Sequence, residues 1–166
     1  PIRDVVQAIL DGGCRLVQYR EKDMAKKLIY EEAIALREMT SRYQAAFIIN
    51  DHLDIALAVE ADGVHLGQND LPCYAARKLA PNLIIGQSTH SQLDIDRAQE
   101  DGATYVNLGP IFATGTKSTA IQPLGPDYIS NAKVKLPFSV MGGIKESNIR
   151  EVLERGARNI AMVTEI

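Results

Sequence analysis

Hydrophobic positions gather in seven short, β-branched runs: Leu16–Tyr19, Ala46–Ile49, Gly63–Leu66, Leu83–Gln87, Tyr105–Leu108, Phe138–Met141 and Asn159–Val163. Most are continuous rather than alternating, which predicts parallel strands covered on both faces. Between them the pattern changes to a helical period. Ala25–Tyr43 is long and amphipathic, Leu53–Glu60 is short, and Tyr74–Leu79 follows Pro72. Gln92–Asp101 ends at Gly102 as a C-cap, and Ser147–Arg155 opens with Ser147 and ends at Gly156. A further helix, Val5–Leu10, precedes the first strand.

Four phrases resemble one another: Asp11-Gly12-Gly13, Glu60-Ala61-Asp62-Gly63, Glu100-Asp101-Gly102-Ala103 and Glu154-Arg155-Gly156-Ala157. Each ends a helix and leads into a strand, a weak internal repeat of one βα unit. Repeated βα units build a parallel sheet with right-handed crossovers. No Gly-x-Gly-x-x-Gly turn follows any of the runs, which argues against an open dinucleotide-binding sheet. The expected fold is α/β, a TIM (β/α)8 barrel. The strand count is one short, so residues 1–166 are expected to form a single barrel domain trimmed at both ends. It would lack the first strand and the last helix, and Leu16–Tyr19 and Asn159–Val163 would flank a one-strand gap.

Composition narrows the function. The 166 residues are 46% apolar and 23% charged, ordinary for a soluble globular protein. A net charge of −3 gives no general attraction to nucleic acid or anionic membranes. Only 5% of residues are aromatic and none is Trp, against a base-stacking surface. No run approaches the roughly 20 apolar residues of a membrane span. Cys14 and Cys73 fit neither a metal-spacing motif nor a disulfide framework, so a reducing, cytoplasmic setting is expected. Any anion site must therefore be a local concentration of positive groups.

Such groups follow the strands. In Gln18-Tyr19-Arg20-Glu21-Lys22, alternation puts Gln18, Arg20 and Lys22 on one side, able to hold a pyrophosphate and a polar ring; the alternative is a solvated charged turn. Asn50-Asp51 ends the second strand and Gly67-Gln68-Asn69-Asp70 follows the third. Asp51 and Asp70 could share one Mg2+, an ion that binds one or two carboxylates plus substrate phosphates. Each could instead cap a helix, Asp51 at Leu53 and Asp70 before Leu71-Pro72. Ser88-Thr89-His90 ends the fourth strand; Ser88 suits a ligand hydroxyl or phosphate oxygen, and His90 is an acid, a base or a helix cap. His65 reads as a hydrogen-bonded core histidine and His52 as a surface one.

Gly109–Pro126 is the longest segment without periodicity, and loops of that length are commonly functional. Thr114, Thr116 and Lys117 could close over an anion; the alternative is a disordered surface loop, above all at Ser118–Pro123. Gly142-Gly143 and Val163-Thr164 follow strands seven and eight of a full barrel, where backbone N–H groups cradle phosphate. For the glycine pair, a tight turn is the alternative.

Taken together, Val17 to Lys22, Ile49-Asn50-Asp51, Gly63 to Asp70, Gly109 to Lys117 and Gly142-Gly143-Ile144 resemble thiamine-phosphate synthase in order along nearly the whole chain. The resemblance implies a (β/α)8 barrel transferase of thiamine biosynthesis. Such an enzyme joins hydroxymethylpyrimidine diphosphate to thiazole phosphate and releases pyrophosphate. It implies that Gln18, Tyr19, Arg20, Glu21, Lys22, Asn50, Ser88 and Lys117 hold the pyrimidine diphosphate, with Mg2+ on Asp51 and Asp70. It implies that Thr114, Gly115, Thr116, Gly143, Val163 and Thr164 hold the thiazole phosphate. Arg20, Lys22 and Lys117 would neutralise the departing diphosphate, the aminopyrimidine would carry the resulting cation, and the thiazole nitrogen would capture it. The partners implied are small molecules, and a homo-oligomer is left open.

The chain departs from the family pattern at Gly115, where Pro is usual, at Tyr19 for Leu, at Thr164 for Ser and at Glu165 for a small residue. Two rivals remain. A thiazole tautomerase would need an acid/base residue but neither diphosphate nor Mg2+, and the Asp51/Asp70 and Arg20/Lys22 pairs speak against it. A non-catalytic barrel that binds a phosphorylated ligand and regulates a partner needs neither a metal pair nor three cations.

Overall fold

The computed structural model describes residues 2–114 and 121–163. The chain divides into two compact units, Pro1–Ile85 and Gly86–Ile166. The first contains α1 (Ile2–Asp11), β1 (Leu16–Tyr19), α2 (Lys26–Arg42), β2 (Ala46–Asn50), α3 (Leu53–Ala58), β3 (Gly63–Leu66), α4 (Cys73–Leu79) and the first residues of β4 (Ile84–Thr89). Its strands are parallel, with Leu16 opposite Ala46 and Ile48 opposite Gly63. The second contains the rest of β4, then α5 (Gln92–Glu100), β5 (Tyr105–Leu108), α6 (Asp127–Asn131), β6 (Phe138–Met141), α7 (Ile149–Glu154) and β7 (Ile160–Ala161). These strands are also parallel and in chain order, with Gly86 opposite Tyr105, Val106 opposite Phe138 and Val140 opposite Ile160.

The continuous apolar runs are buried as expected of such strands. Phe47, Ile48, Ile49, Val64 and Leu66 in the first unit are at most 1% exposed, and so are Val106, Leu108 and Val140 in the second. Burying one such side chain contributes about 1.5–3 kcal/mol. Against the first sheet, α2 buries Ile29, Ala33, Leu36 and Thr40, one helical stripe. The Thr40 hydroxyl is satisfied within the helix, donating to the Arg37 carbonyl at 3.0 Å. β1 pairs on one side with β2, and its Leu16 is 51% exposed.

The repeated phrases have a shared geometry. Gly13, Glu60, Gly102 and Gly156 all take positive φ, between 52° and 97°. The next amide then reaches back to the helix: Cys14 N to Ile9 O, Ala61 N to Ala56 O, Ala103 N to Ala98 O and Ala157 N to Val152 O, at 2.9–3.3 Å. This is a left-handed helix stop that aims the chain into a strand, and Gln44, with φ of 54° and Ala45 N bonded to Thr40 O at 3.0 Å, repeats it before β2.

Some expectations differ from the structure. β4 runs to Thr89 rather than Gln87, so Ser88 lies inside the strand; β7 is only Ile160–Ala161. α6 was not expected: Asp127–Asn131 is a single turn or so, too short to show a period. α7 starts at Ile149, because Lys145 to Asn148 form a turn in which Asn148 Oδ1 accepts from Lys145 N at 2.8 Å.

Candidate active site

In the first unit, the chemistry-bearing residues follow β1, β2 and β3. Gln18 and Tyr19 end β1; Gln18 is half-buried and Tyr19 is buried, which pushes its hydroxyl pKa up. Glu21 turns back on its own loop, accepting from Lys22 N at 2.7 Å and Asp23 N at 2.9 Å. Those amides, Asp23 first, hold its carboxyl below the usual range. Lys22 is thereby directed onward, and its ammonium forms an ion pair with Asp51 Oδ2. Arg20, half-buried, precedes them in the same loop.

Asp51 has φ of 63°, a left-handed conformation that Asp tolerates better than most residues. Its amide donates to the His65 carbonyl and the next amide, of His52, to the Asn50 carbonyl, both at 2.8 Å. The sharp turn leaves its carboxylate against Lys22 and in hydrogen bond with Asp70. Neither carboxylate caps a helix. The N-cap residue of α3 is His52 and that of α4 is Pro72, each without a side-chain cap, while Asp70 Oδ2 accepts from Gly67 N at 2.7 Å. Burial would raise both acids. For Asp51 the bonds to Lys22 and Asp70 outweigh it and hold the carboxyl low. For Asp70 burial is reinforced by Asp51, and the carboxyl is pushed up. The two neighbouring carboxyls are thus pushed apart, Asp51 down and Asp70 up. Asn50 is buried at the end of β2, opposite His65, which is also buried and whose backbone carbonyl accepts from Asp51 N.

In the second unit, Ser88 is buried on β4. His90 is not the cap of α5; Ser91 is, accepting from Asp94 N at 3.1 Å, while Asp94 Oδ2 accepts from His90 N at 2.9 Å. The His90 ring nitrogen Nδ1 contacts the Gly109 carbonyl. From there the chain is laced to the glycine turn: Ile111 N donates to Met141 O at 2.9 Å and Phe112 N to Gly142 O at 3.0 Å. Gly142 and Gly143 have φ of 97° and 62°. A Cβ on Gly143 would stand 2.5 Å from the Ala113 carbonyl oxygen, so a glycine is required there. Asn148 Nδ2 holds the Gly143 carbonyl at 2.9 Å. Thr114 and Val163 are exposed at the edge of the described residues. The expectations for Gly115, Thr116, Lys117, Thr164 and Glu165 lie outside the described residues.

Sequence reasoning missed Asn107, Asp94 and Asn148. Asn107 had a visible signal, one amide in an otherwise apolar strand. Among the described residues there is no group of three or more His, Cys, Asp or Glu that could hold a metal ion. No helix among the described residues is long and apolar enough to cross a membrane.

The family model for thiamine monophosphate synthase matches residues 1–166. The chain belongs to this family. Thiamine monophosphate synthase relatives include the thiamine-phosphate synthase of Pelotomaculum thermopropionicum, 48% identical over 98% of this chain and 76% of that one. That of Dictyoglomus thermophilum is 50% identical over 98% and 74%. Among solved structures, the thiamine phosphate pyrophosphorylase of Pyrococcus furiosus superposes with a TM-score of 0.91, at 38% identity, covering 98% of this chain and 79% of that one. Membership in the thiamine monophosphate synthase family bears out the resemblance read from the sequence and, with parallel strands in βα order, the TIM-type (β/α) barrel fold.

Proposed function

We propose that this chain, as one barrel domain, couples hydroxymethylpyrimidine diphosphate to thiazole phosphate, giving thiamine phosphate and pyrophosphate. The observation that carries this reading beyond family membership is the Lys22–Asp51–Asp70 cluster. It sets a cation and two carboxyl groups in one place, a combination suited to a metal diphosphate and without use in binding a lone phosphate.

Asp51 and Asp70 fit Mg2+: hard oxygen donors, already within hydrogen-bonding distance of one another. Adjacent oxygens on an octahedral ion with bonds of about 2.1 Å lie only about 3 Å apart. When bound, Mg2+ supplies charge neutralisation to the diphosphate. Arg20 and Lys22 supply it too, and the same role is assigned to Lys117. Glu21 shapes the loop that presents them. Gln18, Tyr19, Asn50 and Ser88 orient the pyrimidine. Thr114, Gly115, Thr116, Gly143, Val163 and Thr164 hold the thiazole phosphate.

In the reaction the methylene–oxygen bond breaks and its electron pair leaves with the diphosphate. The pyrimidine methylene carries the positive charge until the lone pair of the thiazole nitrogen forms the new C–N bond. No protein base is needed, so catalysis is positioning and electrostatic stabilisation.

The test is a product assay with both substrates and Mg2+. Pyrophosphate and thiamine phosphate formed in equal amounts, only when both substrates are present, is the expected result. Proton exchange on thiazole phosphate alone, without coupling, would favour the tautomerase instead.

A further inference from the structure

We infer that Asn107 is a specificity-determining residue that accepts a hydrogen bond from the amino group of the pyrimidine substrate. The inference rests on the coupling reaction proposed above.

Asn107 lies on β5 opposite Ser88 of β4 and Ser139 of β6. Residues in register on parallel strands project to the same face, so three polar side chains, Ser88, Asn107 and Ser139, form a row across β4, β5 and β6. On either side of Asn107, Val106 and Leu108 are wholly buried, and Asn107 itself is 2% exposed. The backbone carbonyl of Asn107 accepts from the Thr89 hydroxyl at 3.1 Å. The side-chain oxygen Oδ1, however, is buried and has no partner among the described residues. A buried acceptor left unpaired costs on the order of 1–3 kcal/mol, and native proteins hold few of them. The other such atom among the described residues, the Tyr128 hydroxyl, belongs to α6 and not to the strand row.

An unpaired acceptor selects for a donor. The phosphate and diphosphate oxygens are acceptors themselves at neutral pH and are repelled by it. The thiazole ring has no N–H. The exocyclic amine is the N–H donor that the two substrates offer. As the methylene–oxygen bond breaks, that amine shares the positive charge and becomes a stronger donor. The bond to Asn107 then strengthens in the transition state and acts on kcat as well as on binding.

The test compares the full chain with Asn107→Leu and Asn107→Asp on two substrates, the aminopyrimidine diphosphate and its analogue with hydrogen in place of the amine. Comparing the two substrates across variants cancels their intrinsic reactivity. Asn107→Leu should lose roughly 10- to 100-fold in kcat/KM for the amine. Its rate on the analogue should stay within about twofold, so that the preference for the amine collapses, and Asn107→Asp, which keeps an acceptor oxygen, should recover most of it. If Asn107→Leu does not fold by circular dichroism, Asn107→Ala, which removes the acceptor with little bulk, takes its place with the same expectation. A loss equal on both substrates, or an unchanged preference, overturns the inference while the coupling reaction stands. Absence of product from the unmodified chain overturns the coupling reaction and the inference together.

Discussion

The carboxyl groups of Asp51 and Asp70, from the loops after two adjacent parallel strands, share a hydrogen bond. Asp51 is also held by the Lys22 ammonium, and Asp70 by the Gly67 amide at 2.7 Å. The pair is thus locked from both sides without a helix cap being spent on either residue.

Asp51→Asn should separate folding from catalysis. Asn tolerates positive φ nearly as well as Asp, so thermal stability should change by less than about 1 kcal/mol. Turnover should fall by roughly 100-fold, with partial recovery at high Mg2+ concentration. The check is kcat against Mg2+ concentration alongside a thermal melt; an unaltered Mg2+ dependence would remove Asp51 from the metal site.

Asp70 makes a pH prediction. Its folded-state pKa is raised, so the folded state holds the proton more tightly than the unfolded one. That contribution to stability is complete below the ordinary carboxyl range, about pH 4, and is lost as pH rises through the folded-state value. Asp70→Asn keeps a donor for Asp51 and an acceptor for Gly67 but cannot ionise. Without divalent metal it should melt above the parent at pH 8, with the gap closing towards pH 4. A gap independent of pH would contradict this.

Gly143→Ala tests the glycine turn. Its φ of 62° and the carbonyl 2.5 Å from the added Cβ force the turn to move. We expect a loss of about 1–3 kcal/mol in stability and a KM for thiazole phosphate raised roughly tenfold. Steady-state kinetics should leave KM for the pyrimidine diphosphate nearly unchanged.

Lys117→Ala should lower kcat more than it weakens thiazole-phosphate binding, since a cation meeting the departing diphosphate acts mainly as charge develops. A raised KM for the thiazole with kcat intact would move Lys117 to the other subsite.

The strands were legible in the sequence because burial on both faces leaves few polar positions to blur the runs; Gly63–Leu66 and Tyr105–Leu108, with one polar residue each in His65 and Asn107, fall where the pattern put them. α6 was not, since five residues cannot display a 3.6-residue period. Asp51 and Asp70 were legible as carboxylates after strands, but not the pairing of Asp51 with Lys22, which are 29 residues apart. Glu21 read as one of a charged group, while its carboxylate in fact organises its own turn. Asn107 was not legible as a site residue, because one amide in a four-residue run does not change the run's type.

Leu124 N meets Pro110 O at 2.8 Å, and Gly125 N meets Ile111 O at 3.0 Å, so the two stems of the long loop are fastened to each other. What lies between them is a closed span whose cost of closure grows only slowly with its length. A reporter peptide or a small folded module grafted between Thr114 and Ile121 should leave the barrel's melting temperature nearly intact while silencing turnover. In the history of such a chain, that span is free to be lengthened, shortened or rewritten, and the reaction can be retuned without the scaffold having to refold around each trial.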